Sequence, residues 1–496
     1  MERRTVLRGL VGLPVGAMAV VSAARPAWAD FTTTVKPQTQ WGTWEGWGTS
    51  LSWWANQLGP QTDLADVLFS RNTVQFLGQA VPGLGMNVVR YNAGGSGTNS
   101  IGGRTMQPVA TLDGFKQIEG YQLDWYSADP GSSSWNWNAD AHQRDMMWLA
   151  RDRGADKFEL FSNSPMWWML TNDDPRGAAS GGVCNLRADN FGRHAAYLAT
   201  IARYAHDHWG IDFTSVQPVN EPGAQWGGYA PGQLGGQEGC HYDAAQVAEL
   251  IRLTRGQLDA RGLQWMMVAG LDDWGVGAAA HNWKNTSVFD AATRAAVGRV
   301  NVHGYDFDGD RDALYQAVAA DGKNIWMSEY GDGDISGLTL ARNLNYDLRW
   351  LHPTAWVAWQ ILDWESYGPI TLTSGVIKSV NPKYYVLAQY MRHIRPGMTI
   401  IDAGHPDAVA AYDPVNHKLV IVAVNYGEGQ WLRFDLSRFT NPGQDGSLIP
   451  RWATGTDAGG ERYQHHPTDT VLHGNAFWSY FNARTVQTFE LSGIYL

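Results

Sequence analysis

Two glutamates with the reach to do chemistry each end a short apolar run. Glu221 closes Ser215-Val-Gln-Pro-Val-Asn-Glu, and Glu329 sits in Asn324-Ile-Trp-Met-Ser-Glu-Tyr. Pro222 cannot donate to a sheet ladder, so pairing stops there and leaves Asn220 and Glu221 at the C-terminal edge of a strand. A single glutamate at a strand end is more often solvated than reactive. Two that face each other are different: one, protonated, can give its proton to a leaving oxygen while the other, ionised, attacks carbon. A separation of about 5–5.5 Å between them suits a retaining glycosidase. Arg90 and Tyr305 are placed to keep Glu329 ionised, and a neighbouring carboxylate would raise the pKa of Glu221. No serine-centred elbow and no His-Glu-x-x-His offers a rival chemistry.

Both glutamates can share a site only if strands that are distant in sequence end side by side. Strands are expected at 44–49, 86–91, 157–162, 213–219, 265–271, 300–303, 324–328 and 354–361, separated by loops and helical patterns at 63–78, 139–153, 189–208, 242–261, 289–297, 312–320, 338–350 and 383–393. Eight such units over roughly 350 residues fit a (β/α)8 TIM barrel with generous loops. A doubly wound open sheet is the alternative, but no Gly-x-Gly-x-x-Gly follows any strand. From Thr399 the helices stop, and short strands recur at 408–412, 418–425, 431–435 and 486–491, the pattern of a β-sandwich. The expected fold class is therefore α/β, a (β/α)8 barrel (residues 41–398) with a C-terminal all-β sandwich (399–496) packed on its side. An N-terminal strand (30–40) is expected to join the sandwich.

Composition narrows the partners. The 496 residues carry a formal charge of −11, and removing residues 1–29, with four arginines and one glutamate, takes it to −14. That balance, without a dense basic run, argues against nucleic acid and anionic membrane. The chain holds 25 tryptophans. An indole stacks its flat apolar face on others of the same kind, of which the C–H face of a pyranose is one. The first 29 residues read as a signal peptide, with twin arginines at Arg3 and Arg4, an apolar stretch from Leu10 to Ala24, and Ala27-Trp28-Ala29 as the cleavage signal. Secretion from a bacterium by the twin-arginine route is expected. Cys184 and Cys240 form a disulfide candidate in an oxidising compartment. They lack the histidine spacing of a zinc site, and the acidic run 306–312 has its glycine misplaced for a calcium loop, so no metal is expected.

Several motifs carry a resemblance. Asn220-Glu-Pro and Ser328-Glu-Tyr resemble the glutamate pair of clan A glycoside hydrolases. Trp44-Glu-Gly-Trp-Gly-Thr-Ser-Leu-Ser-Trp-Trp, Val89-Arg-Tyr-Asn, Ser164-Pro-Met-Trp-Trp and the barrel-plus-sandwich layout are similar to glycoside hydrolase family 30, and within it to the endo-β-1,6-galactanase subfamily. The resemblance implies retention, Glu221 as acid/base, Glu329 as nucleophile, no cofactor, and β-1,6-galactan side chains of arabinogalactan as the polysaccharide substrate, cleaved by a monomer. It also implies that Asn220 contacts the sugar 2-hydroxyl and that Trp359 stacks beneath the ring at the cleavage point. The substrate-binding set expected on these grounds is Glu45, Trp47, Arg90, Asn92, Trp167, Asn220, Trp226, His303, Tyr305 and Trp359. An exo-acting β-1,6-galactobiohydrolase and a β-1,6-glucanase remain alternatives on the same scaffold, with a non-catalytic carbohydrate-binding protein as the alternative of another class.

Overall fold

In the computed structural model, which describes residues 31–107, 112, 114–229, 233, 235–307 and 309–496, eight parallel strands close into a barrel. In chain order they are Gly46–Ser50, Val88–Asn92, Lys157–Phe161, Phe213–Gln217, Met267–Asp273, Val297–His303, Asn324–Tyr330 and Ala355–Ala358. The eighth pairs with the first, Ala355 opposite Gly46. The expected targeting segment falls outside the described residues. Among the described residues no helix is long and apolar enough to cross a membrane.

The barrel interior is layered. Its base is apolar, with Val88, Trp326, Ala355 and Val357 forming a cluster separate from the main core. Above it lies a layer of buried charge. Arg90 alternates with Val89 and Tyr91, and Glu159 alternates with Phe158 and Leu160, so both point inward at 0% exposure. The Arg299 guanidinium caps the apolar layer 3.4 Å from the Trp326 ring centroid and pairs with Glu159 above it. A charge this deep persists only when paired, and the pairing locks the strands' register beneath the mouth.

One local expectation is overturned. The helix expected over 63–78 ends at Phe69, and the chain turns into a hairpin, Thr73–Phe76 with Gln79–Pro82. Its two turn residues, Leu77 and Gly78, both have positive φ (51° and 75°), the backbone twist that closes a two-residue hairpin.

The C-terminal region is built from two sheets. Seven strands run in the order Lys36–Thr43, Thr399–Asp402, Ala408–Asp413, Lys418–Asn425, Thr485–Ser492, Arg451–Gly455 and Gln464–His466, facing a sheet of Phe31–Thr34, Gln430–Asp435 and Ala476–Phe481. Phe434, Phe477 and Phe489 meet between them at centroid distances of 4.8–5.2 Å. Residues 31–43 thus contribute one strand to each sheet before entering the barrel. Helix Pro382–Met391 joins the two regions: Gln389 donates to Thr454 Oγ1 at 2.8 Å, and the Thr488 hydroxyl donates to the Gln389 carbonyl at 2.9 Å.

Candidate active site

The fourth and seventh strands deliver their glutamates to the same end of the barrel. Glu221 follows the fourth strand at φ 44°, a left-handed conformation that is costly for a residue with a side chain. Its amide donates to the Asp272 carbonyl at 3.0 Å, which holds the turn in place. Glu329 lies inside the seventh strand with its side chain 6% exposed, against 15% for Glu221. The nearest ligand atoms of Glu221, His303 and Glu329 all lie within 4.8 Å of one another. That is the spacing of two carboxylates acting on one carbon; room for an intervening water would need about 6.5–9.5 Å.

His303, at the end of the sixth strand, connects the pair. Its Nδ1 is 3.0 Å from Glu221 Oε1 and 3.5 Å from Glu329 Oε1, and its Nε2 is 3.3 Å from Asp272 Oδ1. Asp272 reaches this position through a bulge. Leu271 and Asp272 both have positive φ (73° and 58°), and the register against the sixth strand slips between Leu271 and Asp273. A bulge of this kind re-aims a side chain, here turning the Asp272 carboxylate toward Arg90 (2.8 Å), Ser328 (2.7 Å) and His303. Arg90 spans the centre, on Glu159 at 2.9 Å, Asp272 at 2.8 Å and Glu329 at 3.2 Å. Tyr305 donates to the other Glu329 oxygen at 3.0 Å.

These contacts set the protonation. Burial works against a charged imidazole, but the Glu329 and Asp272 carboxylates outweigh it and push His303 up to about 10. Burial likewise opposes the Asp272 carboxylate, and Arg90 and His303 overcome it, holding the group well below the usual carboxylate range. For Glu329 burial wins: it pushes the carboxyl up to about 7, with Glu221 adding to the rise and His303 and Arg90 opposing it. Four carboxylates (Glu159, Asp272, Glu221, Glu329) thus face three cations (Arg90, Arg299, His303). Burial thus outweighs the Arg90 contact expected to keep Glu329 ionised. The same three side chains could surround a cation, but it would have to displace the proton that the carboxylates keep on His303.

Beside Glu329 opens a cavity of about 620 Å³, walled by Trp53, Trp359, Gln360, Asp363, Trp364 and Tyr367 among others. Neither glutamate is in its wall. The link is Tyr367, whose hydroxyl hydrogen-bonds that of Tyr305. Trp359 follows the eighth strand, 7% exposed, with Trp53 edge-on at 5.2 Å. Asn220 Oδ1 and both side-chain polar atoms of Asn163 are buried at the mouth without a protein partner, as groups waiting for a ligand hydroxyl are.

Of the residues expected to bind substrate, Arg90, Asn220, His303, Tyr305 and Trp359 gather around the two glutamates. Trp226 is half-buried on the turn after Glu221, its indole donating to the Glu221 carbonyl at 3.0 Å. The other four are placed elsewhere. Glu45 precedes the first strand and lies at the opposite end of the barrel, where it accepts from Asn324 at 3.1 Å and Thr354 at 2.6 Å; the short first strand begins after it. Trp47 points outward into the core, donating to the Ile394 carbonyl at 2.7 Å and packed on Trp44. Asn92 is fully buried and serves the scaffold: its side-chain amide donates to Glu238 at 3.3 Å and its side-chain oxygen accepts from the backbone N–H of Asn163 at 3.2 Å. Trp167 is likewise fully buried. Cys184 and Cys240 are free thiols brought into hydrogen-bonding contact by the loops after the third and fourth strands.

Glu159, Asp272 and Arg299 were not expected at the site. The first and last left a signal, a charge inside an otherwise apolar strand, which must be paired if buried. Asp272 left none beyond its strand-end position, because its orientation depends on the bulge.

Comparison with known proteins follows the same line. The model of a family described as O-glycosyl hydrolase family 30 matches residues 29–292. An endo-beta-1,6-galactanase of Hypocrea rufa is 46% identical over 493 residues, covering 99% of this chain and 100% of that protein. Among solved structures, a conserved exported protein from Bacteroides fragilis superposes with a TM-score of 0.74 at 18% identity, over 93% of this chain and 100% of that one. A family 30 subfamily 8 xylanase from Clostridium acetobutylicum does so with a TM-score of 0.67 at 18% identity and the same coverage. At those identities the two structures speak for the fold.

Proposed function

This chain belongs to glycoside hydrolase family 30, and from that premise we propose that it is a retaining endo-β-1,6-galactanase acting on the galactan side chains of arabinogalactan. The observation that carries the chemistry is the carboxylate pair, with one oxygen of each within 4.8 Å of the other at the ends of the fourth and seventh strands. The linkage and the endo mode rest on whole-length similarity to the Hypocrea rufa enzyme.

In this reading Glu329 attacks the anomeric carbon as Glu221 gives its proton to the departing O6, and a glycosyl ester forms on Glu329. Glu221, now ionised, takes a proton from the incoming water, which opens the ester with a second inversion and so net retention. Arg90 and Tyr305 stabilise the Glu329 carboxylate each time it leaves the sugar. The His303 imidazolium, hydrogen-bonded to Glu221, steadies that carboxylate between the two steps. Asn220 binds the 2-hydroxyl, and Trp359 carries the ring. The sugar that becomes bonded to Glu329 continues into the cavity beside Tyr367, and the leaving chain passes Trp226. The protein works as an exported monomer, and the adjacent thiols of Cys184 and Cys240 close into a disulfide once outside the cell.

The test is the product profile on linear β-1,6-galactan. A ladder of oligosaccharides from the wild type, abolished in Glu329→Gln, is the expected result. A single disaccharide product would make the enzyme exo-acting, and unchanged hydrolysis by Glu329→Gln would remove the nucleophile assignment.

A further inference from the structure

The loops after the seventh and eighth strands are held by a buried charge that the reaction does not use. Lys383, 1% exposed, is the second residue of helix Pro382–Met391. An ammonium in a first helical turn sits against the helix dipole, and one this deep must engage every N–H with an acceptor. Its Nζ donates to the carbonyls of Asp332 (2.6 Å), Tyr367 (3.0 Å) and Ser366 (3.1 Å), and pairs with the Asp332 carboxylate at 3.1 Å. Asn381 takes the next two carbonyls of the same loop. Its side-chain amide donates to Gly368 at 2.7 Å and its backbone N–H to Pro369 at 2.9 Å. The successive carbonyls of residues 366 to 369 are thus captured from one helix edge, and Asp332 ties in the loop after the seventh strand. The helix itself is anchored on the sandwich through Gln389, so this cage has a fixed base.

What the cage holds is Tyr367. Its hydroxyl meets that of Tyr305, and Tyr305 donates its one hydroxyl proton to Glu329 Oε1 at 3.0 Å. Toward Tyr367 the Tyr305 oxygen can therefore only accept, which makes Tyr367 the donor. Two hydroxyls in line on a carboxylate polarise one another, each bond strengthening the next, and they favour the ionised form. Burial pushes the Glu329 carboxyl up to about 7, and attack on carbon requires it ionised, so this support bears on the chemistry. A tyrosine on a loop keeps such a bond only while the loop backbone is fixed. The Tyr367 ring also stands close against Gly331, where a Cβ would lie 2.7 Å from its Cε1.

We propose that Lys383 is a positioning residue for the nucleophile: by gathering the Asp332, Ser366 and Tyr367 carbonyls it holds the Tyr367 hydroxyl on Tyr305 and so keeps Tyr305 donating to Glu329. The inference rests on Glu329 being the nucleophile of the galactanase reading, and it adds a support that reaches that residue without touching substrate.

The experiment measures kcat/KM on β-1,6-galactan against pH for wild type, Lys383→Met, Tyr367→Phe and the double variant. Each single variant should move the acid limb ~0.5–1 pH unit toward alkaline pH, the worth of one hydrogen bond that stabilises the ionised carboxylate. Below that limb kcat/KM should fall ~3- to 10-fold. The double variant should shift no further than the larger single shift, because residues acting through one contact are not additive. Loss of folded protein lowers the amount of active enzyme without moving a limb, so the limb separates positioning from stability. An unmoved limb in Lys383→Met or in Tyr367→Phe, or a double variant whose shift is the sum of the two, overturns the proposal. If Lys383→Met does not fold, Lys383→Arg, which keeps the charge but spreads its donors over a plane, is judged by the same limb. A wild type that leaves galactan uncut sinks the galactanase reading instead. The cage is then judged without substrate: amide hydrogen exchange over residues 363–370 should quicken at least ~10-fold in the Lys383 variant while the barrel strands keep wild-type rates, and equal rates in that loop refute it.

Discussion

Replacing His303 by glutamine removes one positive charge from between the two glutamates while leaving a side chain that can still hydrogen-bond. The imidazolium is 3.5 Å from Glu329 and 3.0 Å from Glu221. At an effective dielectric of ~20 a unit charge at the longer distance contributes about 5 kcal/mol, which is a ceiling. Water entering the space left by the imidazole, and Arg90 at 3.2 Å from Glu329, absorb part of it, so a shift of ~1–2 pH units is expected. The sign is definite. His303 pulls the Glu329 carboxyl down from where burial would put it, so its loss raises that pKa. The ionised fraction then falls at every pH on the acid limb, and the limb moves to higher pH. Initial rates of galactan hydrolysis measured between about pH 3 and 9 report the pair through kcat/KM. In His303→Gln the acid limb should move toward alkaline pH. A bell that loses height without moving would mean that His303 acts through geometry alone. One displaced toward acid pH would refute the electrostatic account.

Other substitutions test separate parts of the molecule. Glu221→Ala should cost far more on galactan than on an aryl galactoside whose leaving group needs no proton; equal losses on both would count against the acid role. Arg90→Met strands Glu159 and Asp272 in the barrel interior and should lower stability by ~3–5 kcal/mol in denaturant titrations. Glu45→Gln, at the far end of the barrel, should leave kcat within about twofold of wild type and show its effect only in the melting temperature. Burial holds Asp140 and Glu238 up to about 7 each, against the hydrogen bonds they accept, so the folded chain keeps protons that the unfolded chain releases near pH 4. The stability they confer is complete below that range and is lost as the pH rises through about 7. Melting should therefore come at lower temperature at alkaline than at mildly acid pH, and Glu238→Gln should flatten the difference.

What the amino-acid sequence determined by itself was periodic or local. Apolar runs alternating with helical patterns specify eight βα units, because burial against a sheet and against a helix imposes different spacings on the same residue types. Proline after Asn220-Glu221 marks a strand end, and placing Glu221 and Glu329 at strand ends follows from position along the chain. What only the tertiary structure decided was direction. Glu45 and Glu221 both lie next to barrel strands, but one precedes its strand and the other follows it, so they end at opposite faces of the barrel. Trp47 lies within the first strand and Trp359 just follows the eighth, and which of them faces the core depends on a one-residue phase that such short strands do not reveal. Asp272 enters the site through a bulge whose positive φ values leave no mark in composition. The raised pKa of Glu329 is more remote still. It depends on how deeply that carboxyl is buried and on His303, Arg90 and Asp272 converging from three other strands, and distances of 3 Å between residues tens to hundreds of positions apart exist only once the barrel has closed.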